Sequence, residues 1–319
     1  MLDLKRLRLL RELAARQTIG AVASALDYSP SAVSQQLAQL EKEAGVPLFE
    51  RVGRNLRLTA AAQALVVHAD ALLQRVEEAE AELQATAELI TGTLRVSAIQ
   101  SAGLYLLTPA LRQLQQEHPH LRVEVTDAEP EQSLPSLALG SLDLVLADEY
   151  PFLPSAPDPR LDIEPLLEEE FHILLPVDHP LARPDGPVRL ADLKDEPWAM
   201  GKVDSAYAEL TLRACRALGG FEPDVRHRSN DLLLLLSIVA NGLGVTLLPD
   251  LVRADREPSV VTRSVAEAPL TRTVFAAIRR GSARRPALTA LRAALRDTAA
   301  GLRSAATPAP GSLPAPGRP

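Results

Sequence analysis

The sequence of 319 residues is poor in the side chains that carry most catalytic and redox chemistry. It has one cysteine, Cys215, which excludes an internal disulfide and suits a reducing compartment. Cys215 sits among Leu and Ala in a helical pattern, so a core position is expected there and not a redox sensor. Histidine is scarce as well. His118 and His120 flank Pro119 with no Cys or His at metal-ligand spacing nearby, and no metal site is expected. The G-x-S-x-G elbow of hydrolases and the Gly-Lys-Ser/Thr phosphate loop are both missing. Gly242-Leu243-Gly244 lacks the third glycine of a dinucleotide fingerprint and precedes a strand pattern, so it reads as a helix-to-strand turn. No catalytic residue and no cofactor is assigned, and an enzyme is not expected. Long apolar runs are also few. Residues 232–252 open with five leucines but are interrupted by Asn241, Gly242, Gly244, Pro249 and Asp250, which points to a buried helix and strand and not to a membrane span. Residues 1–6 show no apolar signal-peptide core, and a cytoplasmic location is expected.

What is present is ample material for globular cores, with 46% hydrophobic and 24% charged residues, and length for two or three domains. The net charge of −7 is unevenly spread. Residues 1–58 hold nine Lys and Arg against six Asp and Glu, a net +3, which leaves the remainder at −10. Such asymmetry points to one basic module on an otherwise acidic chain.

Residues 29–45 explain that module. Ser29 can cap a helix that begins at Pro30, whose missing N–H would be unpaired there anyway, and Gly45 can end it. Val33, Leu37 and Leu40 fall at i, i+4 and i+7 and form one apolar face. Ser31, Ser34, Gln35 and Ala38 share another face that carries hydroxyls and an amide where a solubilising face would carry charge. Ser and Gln donate and accept at base edges in the major groove. Thr18 caps a short helix over residues 19–26, and residues 27–29 make the tight turn of a helix-turn-helix. Residues 46–59 read as two short strands around a Gly53-Arg54-Asn55 tip, a basic wing. Residues 4–16 form a first helix with Leu7, Leu10 and Leu13 or Ala14 inward and Lys5, Arg8 and Arg11 available to phosphates.

The run from Leu4 through SPSAVSQQLAQLEKEAGVPLFERVGRNLRLT to Thr59 resembles the winged helix-turn-helix of LysR-type transcriptional regulators. The resemblance continues in architecture, with weaker motifs, to about residue 303. It implies DNA-binding positions at Thr18, Ser29, Pro30, Ser31, Ser34, Gln35, Gln36, Arg51 and Arg54, with double-stranded promoter DNA as partner. The family often has a basic residue where Gln35 or Ala38 stands, so fewer phosphate contacts are expected from this helix. Thr18-Ile19-Gly20-Ala21-Val22 departs from the family's usual Ser-Phe-Thr-x-Ala-Ala, which alters helix packing more than readout.

From Thr59 no Gly or Pro occurs until Gly92, which predicts one long helix. Leu65, Ala69, Leu72, Val76, Ala79, Leu83, Thr86 and Ile90 keep alternating spacings of four and three, a coiled-coil seam for a homodimer. The resemblance adds a homotetramer through the C-terminal domains. Beyond Gly92 the pattern becomes β-α-β-α-β, then a Pro-rich loop over 151–159, a second α/β set, and a return strand and helix. Two crossings between lobes make a hinged clamshell, and the resemblance implies the same, similar to periplasmic binding proteins. The expected fold is therefore α/β with an N-terminal α+β winged helix-turn-helix, a long linker helix and a two-lobed effector domain. The expected bounds are 1–58 for DNA binding, 59–89 for the linker helix and 90–303 for the effector domain. Lobe 1 is placed at about 90–162 and 269–303, lobe 2 at about 163–268, and a disordered tail at 304–319.

In open α/β sheets ligands bind outside the carboxyl ends of strands, where helices begin. Gln100, Ser101, Lys202, Ser205 and Asn230 occupy such places and are the candidate effector-binding residues. Lys202 is the sole cation among them, so a small anion is expected. The leading reading is a sequence-specific DNA-binding regulator controlled by a small-molecule effector. The alternative is an α/β solute-binding or enzymatic protein with an N-terminal interaction module.

Overall fold

In the computed structural model residues 1–52, 55–86, 90–153, 158–183 and 185–306 are described. The first three helices are α1 Leu4–Arg16, α2 Ile19–Leu26 and α3 Pro30–Ala44. Their starts are fixed by side-chain caps at Asp3, Thr18 and Ser29, and α3 ends where Gly45 turns left-handed at φ 69°. Strands β1 Phe49–Val52 and β2 Asn55–Leu58 pair antiparallel as the wing, whose expected tip at Gly53 and Arg54 lies outside the described residues. Glu41 accepts hydrogen bonds from the backbone N–H of Leu48 and Phe49, tying the wing to α3. Leu7, Leu10 and Leu13 of α1 meet Val22, Val33, Leu37, Leu40 and Leu48 in one core. Burying each such side chain contributes about 1.5–3 kcal/mol, so the apolar face of α3 is firmly anchored and its polar face points outward.

Helix α4, Ala60–Ala85, is capped by Thr59, which also donates to the Pro47 carbonyl and so links the wing to the helix. It is shorter than the expected 59–89, and residues 87–89 lie outside the described residues. The expected seam is divided. Ala69 is buried in the core of the first three helices and Ile90 packs on the core of lobe 1, whereas Leu72 and Leu83 remain 46% and 72% exposed.

The C-terminal α/β region opens with β3 Gly92–Ala98, followed by α5 Gln100–Ala102, a π-helical turn Gly103–Leu107 and α6 Thr108–Glu117. Then come β4 Leu121–Asp127, α7 Pro130–Ala138 and β5 Leu144–Glu149. β3 pairs parallel with both β4 and β5, as the β-α-β-α-β order predicts. The sequence pattern, broken at Glu168-Glu169-Glu170, predicts a crossing segment over 161–167 and a separate strand over 171–176, but the structure has one crossing strand of 16 residues, β6 Leu161–Pro176. After it come β7 Pro197–Met200, α8 Ala206–Arg213, β8 Asp224–Arg228, α9 Leu232–Ala240, β9 Thr246–Pro249 and β10 Val260–Arg263. The return strand β11 Leu270–Arg279 pairs antiparallel with β5 on one side and β6 on the other, and α10 Pro286–Ala306 closes the chain. One seven-stranded sheet thus runs in the order β10-β6-β11-β5-β3-β4, with β9 also on β6. The two crossings between lobes are β6 and β11, hydrogen-bonded to each other. α10 reaches residue 306, past the expected start of the tail, and residues 307–319 lie outside the described residues. The five-leucine run is α9, with Leu232 and Leu235 buried and Leu233 and Leu234 exposed. Among the described residues no helix is long and apolar enough to cross a membrane.

The first three helices do not stand apart from lobe 1. Arg11, expected to face phosphate, is buried and donates from Nη2 to the Leu139 carbonyl at 2.9 Å. Arg279 at the end of β11 donates to Glu77 Oε1 of α4 at 2.7 Å and to the carbonyls of Leu137 and Leu142. Gly281 is required at this joint. A Cβ there would meet the Gln74 carbonyl at 2.8 Å and the Glu77 Cβ at 2.9 Å.

Candidate functional site: the third helix and the inter-lobe crevice

The outer face of α3 presents Ser31, Ser34, Gln35 and Ala38, all exposed. Ser31 Oγ lies 3.0 Å from Ser29 Oγ, and Ser29 Oγ accepts from the Ala32 N–H. Thr18 likewise serves its own helix, accepting from the Ala21 N–H. Pro30 stands at the first turn of α3, as expected. Gln36 is on a different face. Its Oε1 accepts from Arg6 Nε at 2.9 Å, and Arg6 also pairs with Glu43, so Gln36 joins α3 to α1. Lys5 and Arg8 are exposed on α1. Of the wing cations, Arg54 lies outside the described residues and Arg51 stands in β1.

The structure gathers all five candidate effector residues around one crevice between the lobes. Gln100, Ser101 and Asn230 line a narrow cavity of about 30 Å³, which opens into a cleft of about 460 Å³ where Lys202 and Ser205 join Gln100 and Asn230. Local structure places them. Ser205 caps α8 through the Ala208 N–H, and Gly201 leaves room for that cap, since a Cβ there would meet Ser205 Oγ at 2.7 Å. Asn230 Oδ1 accepts from the Lys202 N–H at 2.8 Å. Gln100 spans the lobes: its Nε2 donates to Asp231 Oδ1 at 2.8 Å and its Oε1 accepts from the Leu232 N–H at 2.7 Å.

The floor of the crevice is a buried ion cluster that sequence reasoning missed. Arg272 of β11 pairs with Asp148 at 2.9 Å and with Glu169 at 2.7 Å, and its Nη2 donates to Ser101 Oγ at 2.7 Å. Glu169 also accepts from the Leu251 N–H, and the Tyr150 hydroxyl donates to Asp148. Burial disfavours the Arg272 charge, but Glu169 and Asp148 more than offset it and hold the group protonated. Glu129 lies across the crevice. Burial, and then the negative field of Asp148, push its carboxyl up to about 7 against a hydrogen bond from Asn230. The only signal in the sequence was a charged residue, Arg272, near the start of a strand whose middle, Val274 to Ile278, is apolar.

The expected anion finds little here. Lys202 is exposed, and the buried cation is already shared by two carboxylates. Cys215 is fully buried, and burial pushes its thiol up to about 12.

Comparison with known proteins bears on both sites. Residues 4–63 match the family described as bacterial regulatory helix-turn-helix protein, lysR family, and residues 87–300 match the LysR substrate binding domain. A probable hydrogen peroxide-inducible genes activator of Streptomyces viridosporus is 30% identical over 278 residues, 86% of this chain and 87% of that protein. The transcriptional dual regulator GltC of Bacillus subtilis is 27% identical over 274 residues, 86% of this chain and 89% of that protein. Among solved structures, a full-length OxyR variant from Pseudomonas aeruginosa is similar with a TM-score of 0.66 and 26% identity, covering 93% of this chain and 95% of that one.

Proposed function

Since this chain belongs to the LysR family of transcriptional regulators, with a DNA-binding helix-turn-helix and an effector-binding domain, we propose that α3 reads operator bases and that the inter-lobe crevice holds the effector. Ser31, Ser34 and Gln35 touch base edges, and Arg51 and Arg54 of the wing touch phosphate or the minor groove. Thr18, Ser29 and Pro30 set the helix starts that aim this face, and Gln36 holds α3 in place through Arg6. The observation that carries the reading is an exposed, uncharged hydrogen-bonding face on a helix whose opposite face is anchored in a core.

In the crevice, Gln100, Ser101, Lys202, Ser205 and Asn230 surround the ligand. Ligand and DNA affinities are then linked, typically by about 1–3 kcal/mol. The linker helix pairs two copies of the chain through Leu72, Ala79 and Leu83, the part of the seam left exposed by the rest of the protein. Two recognition helices spaced by whole turns of DNA double the readout of one. A thiol switch is not part of the reading, because the single, buried Cys215 has no partner cysteine and a thiol held protonated.

Nuclease protection of DNA upstream of the protein's own and neighbouring genes tests the DNA reading. A protected site of two half-sites separated by whole helical turns is expected. Protection that is unaltered by Gln35→Ala would remove α3 from base readout. Sedimentation of the Leu72→Asp/Leu83→Asp variant tests the pairing, which should dissociate.

A further inference from the structure

We propose that the inter-lobe crevice binds a small organic cation, whose ammonium or guanidinium group sits between Asp148 and Glu129. The proposal rests on the reading of the crevice as the effector site and adds the chemical class of the ligand.

The charge balance of the crevice comes first. Its buried cation, Arg272, is engaged on all three guanidinium nitrogens by Asp148, Glu169 and Ser101, so an incoming carboxylate would have to displace a bond already made. The other cation at the crevice, Lys202, is at the exposed mouth, in the company of Asp127, Glu131 and Asp231. An anion entering here meets an excess of negative charge.

A second observation concerns one oxygen. The Asp148 side chain is only 8% exposed, yet both hydrogen bonds it accepts, from Tyr150 and from Arg272, fall on Oδ2. Among the described residues no donor reaches Oδ1, and Asp148 lines the crevice. Oδ1 is not among the fully buried atoms that lack a partner, so it stays reachable from the crevice and can accept from a donor that arrives there.

The third is a second carboxylate in the same cavity. Glu129 lines the same cavity, forms no ion pair among the described residues, and stands in the field of Asp148. Arg272 is shared with Glu169 and does not pair with Glu129, so two carboxylates that line one cavity repel each other, and a cation placed near both relieves that repulsion. Ile99, Pro130, Tyr150, Tyr207 and Leu232 supply apolar and aromatic walls for the carbon part of such a ligand. The narrow cavity opens past Glu129, Glu131 and Asn230 into a cleft of about 460 Å³, room for a small metabolite.

The test uses the full chain, with putrescine and agmatine as cationic probes, succinate as the anionic probe and 1,4-butanediol as the neutral one. Calorimetric titration at millimolar probe should show binding of a cation and not of succinate or the diol. Glu129→Gln and Asp148→Asn should each weaken the cation by at least about tenfold. Glu129→Gln should also raise the melting temperature of the ligand-free protein, because it removes one of two repelling charges. A merely structural hydrogen bond to Asn230 would not give that rise. Ala206→Leu, which narrows the cavity without touching the ion cluster, should block the probe. Binding of succinate that is lost in Ala206→Leu would overturn the cation and leave the crevice as the effector site. Cation binding that is equal in wild type, Glu129→Gln and Ala206→Leu would place the probe elsewhere and overturn the proposal. Failure of both cations to bind would overturn it too, while operator protection, measured separately, would still report on the DNA reading.

Discussion

The exposed polar face of α3, built from Ser and Gln, and the crevice, built from Ser, Gln and Asn, use the same kind of uncharged side chain in opposite ways. On α3, Ser34 and Gln35 are exposed and make no hydrogen bond to the rest of the described chain. In the crevice every one is occupied. Gln100 is tied to Asp231 and Leu232, Ser101 to Arg272, Asn230 to Lys202, and Ser205 to its own helix. A partner at α3 displaces only water. A ligand in the crevice must exchange bonds already made, and the net gain of a neutral hydrogen bond is only about 0.5–1.5 kcal/mol. Discrimination in the crevice therefore falls to charge and shape, while discrimination on α3 falls to the donor and acceptor pattern.

The largest effect expected is at the crevice floor. Arg272→Met would leave Asp148 and Glu169 buried without their cation, which costs about 3–5 kcal/mol of folding stability. Urea unfolding of the full chain checks this, and a loss below about 1 kcal/mol would show that the cluster is not what holds the floor. On the other side of the comparison, Gln35→Ala should cost about 1–3 kcal/mol of operator affinity. It should leave unfolding unchanged and affinity for scrambled DNA unaltered, as fluorescence anisotropy on both duplexes would show. Gln100→Ala removes two cross-lobe hydrogen bonds of modest net value, about 1 kcal/mol in stability. Amide hydrogen exchange should quicken at the start of α9, with operator binding retained. If exchange there is unchanged, the lobes are not latched by Gln100.

The smallest effect is a slope. Glu129 has a folded value of about 7, above the ordinary 4.5 of its carboxyl. The folded state keeps this proton where the unfolded chain has released it, so stability falls as pH rises from about 4.5 to about 7. Glu129→Gln should remove that part of the slope in melting temperature against pH. The effect is small because Glu129 stays partly open to solvent. An identical slope in the variant would assign the pH dependence to other groups.

Features decided within one turn of chain were legible in the sequence. Caps at Thr18, Ser29, Thr59 and Ser205, the stop at Gly45 and the inward Val33, Leu37 and Leu40 are all as the local pattern predicts. Features decided by distant partners were not. Glu168-Glu169-Glu170 reads as a solvated break between two strands, yet β6 runs straight through it, because Arg272, over a hundred residues later, neutralises Glu169. Arg11 reads as one more cation on a basic face, and the Leu139 carbonyl of lobe 1 claims it. Gln36 neighbours Gln35 in sequence but lies a helical step of about 100° away, toward Arg6. The positions of Gln100, Ser101 and Asn230 were readable from strand-to-helix junctions, whereas the Asp148, Glu169 and Arg272 floor needed the sheet order.

Strand β11 leaves this chain no freedom in length. Arg272 meets the crevice ions, and Arg279, on the same strand, meets Glu77 of the linker helix and the carbonyls behind α7. Their odd separation sends the two side chains to opposite faces of the sheet. Val274, Ala276 and Ile278 accordingly pack in one core and Phe275 and Ala277 in another. Inserting or deleting a single residue between the two arginines would turn Arg279 to the wrong face, cutting its tie to the linker while the crevice stayed whole. A change of two would keep the faces and carry the tie about 7 Å along the strand, past Glu77. Insertions are readily absorbed in surface loops. In β11 they would leave a regulator that still holds its ligand but has lost one of its connections to the linker helix.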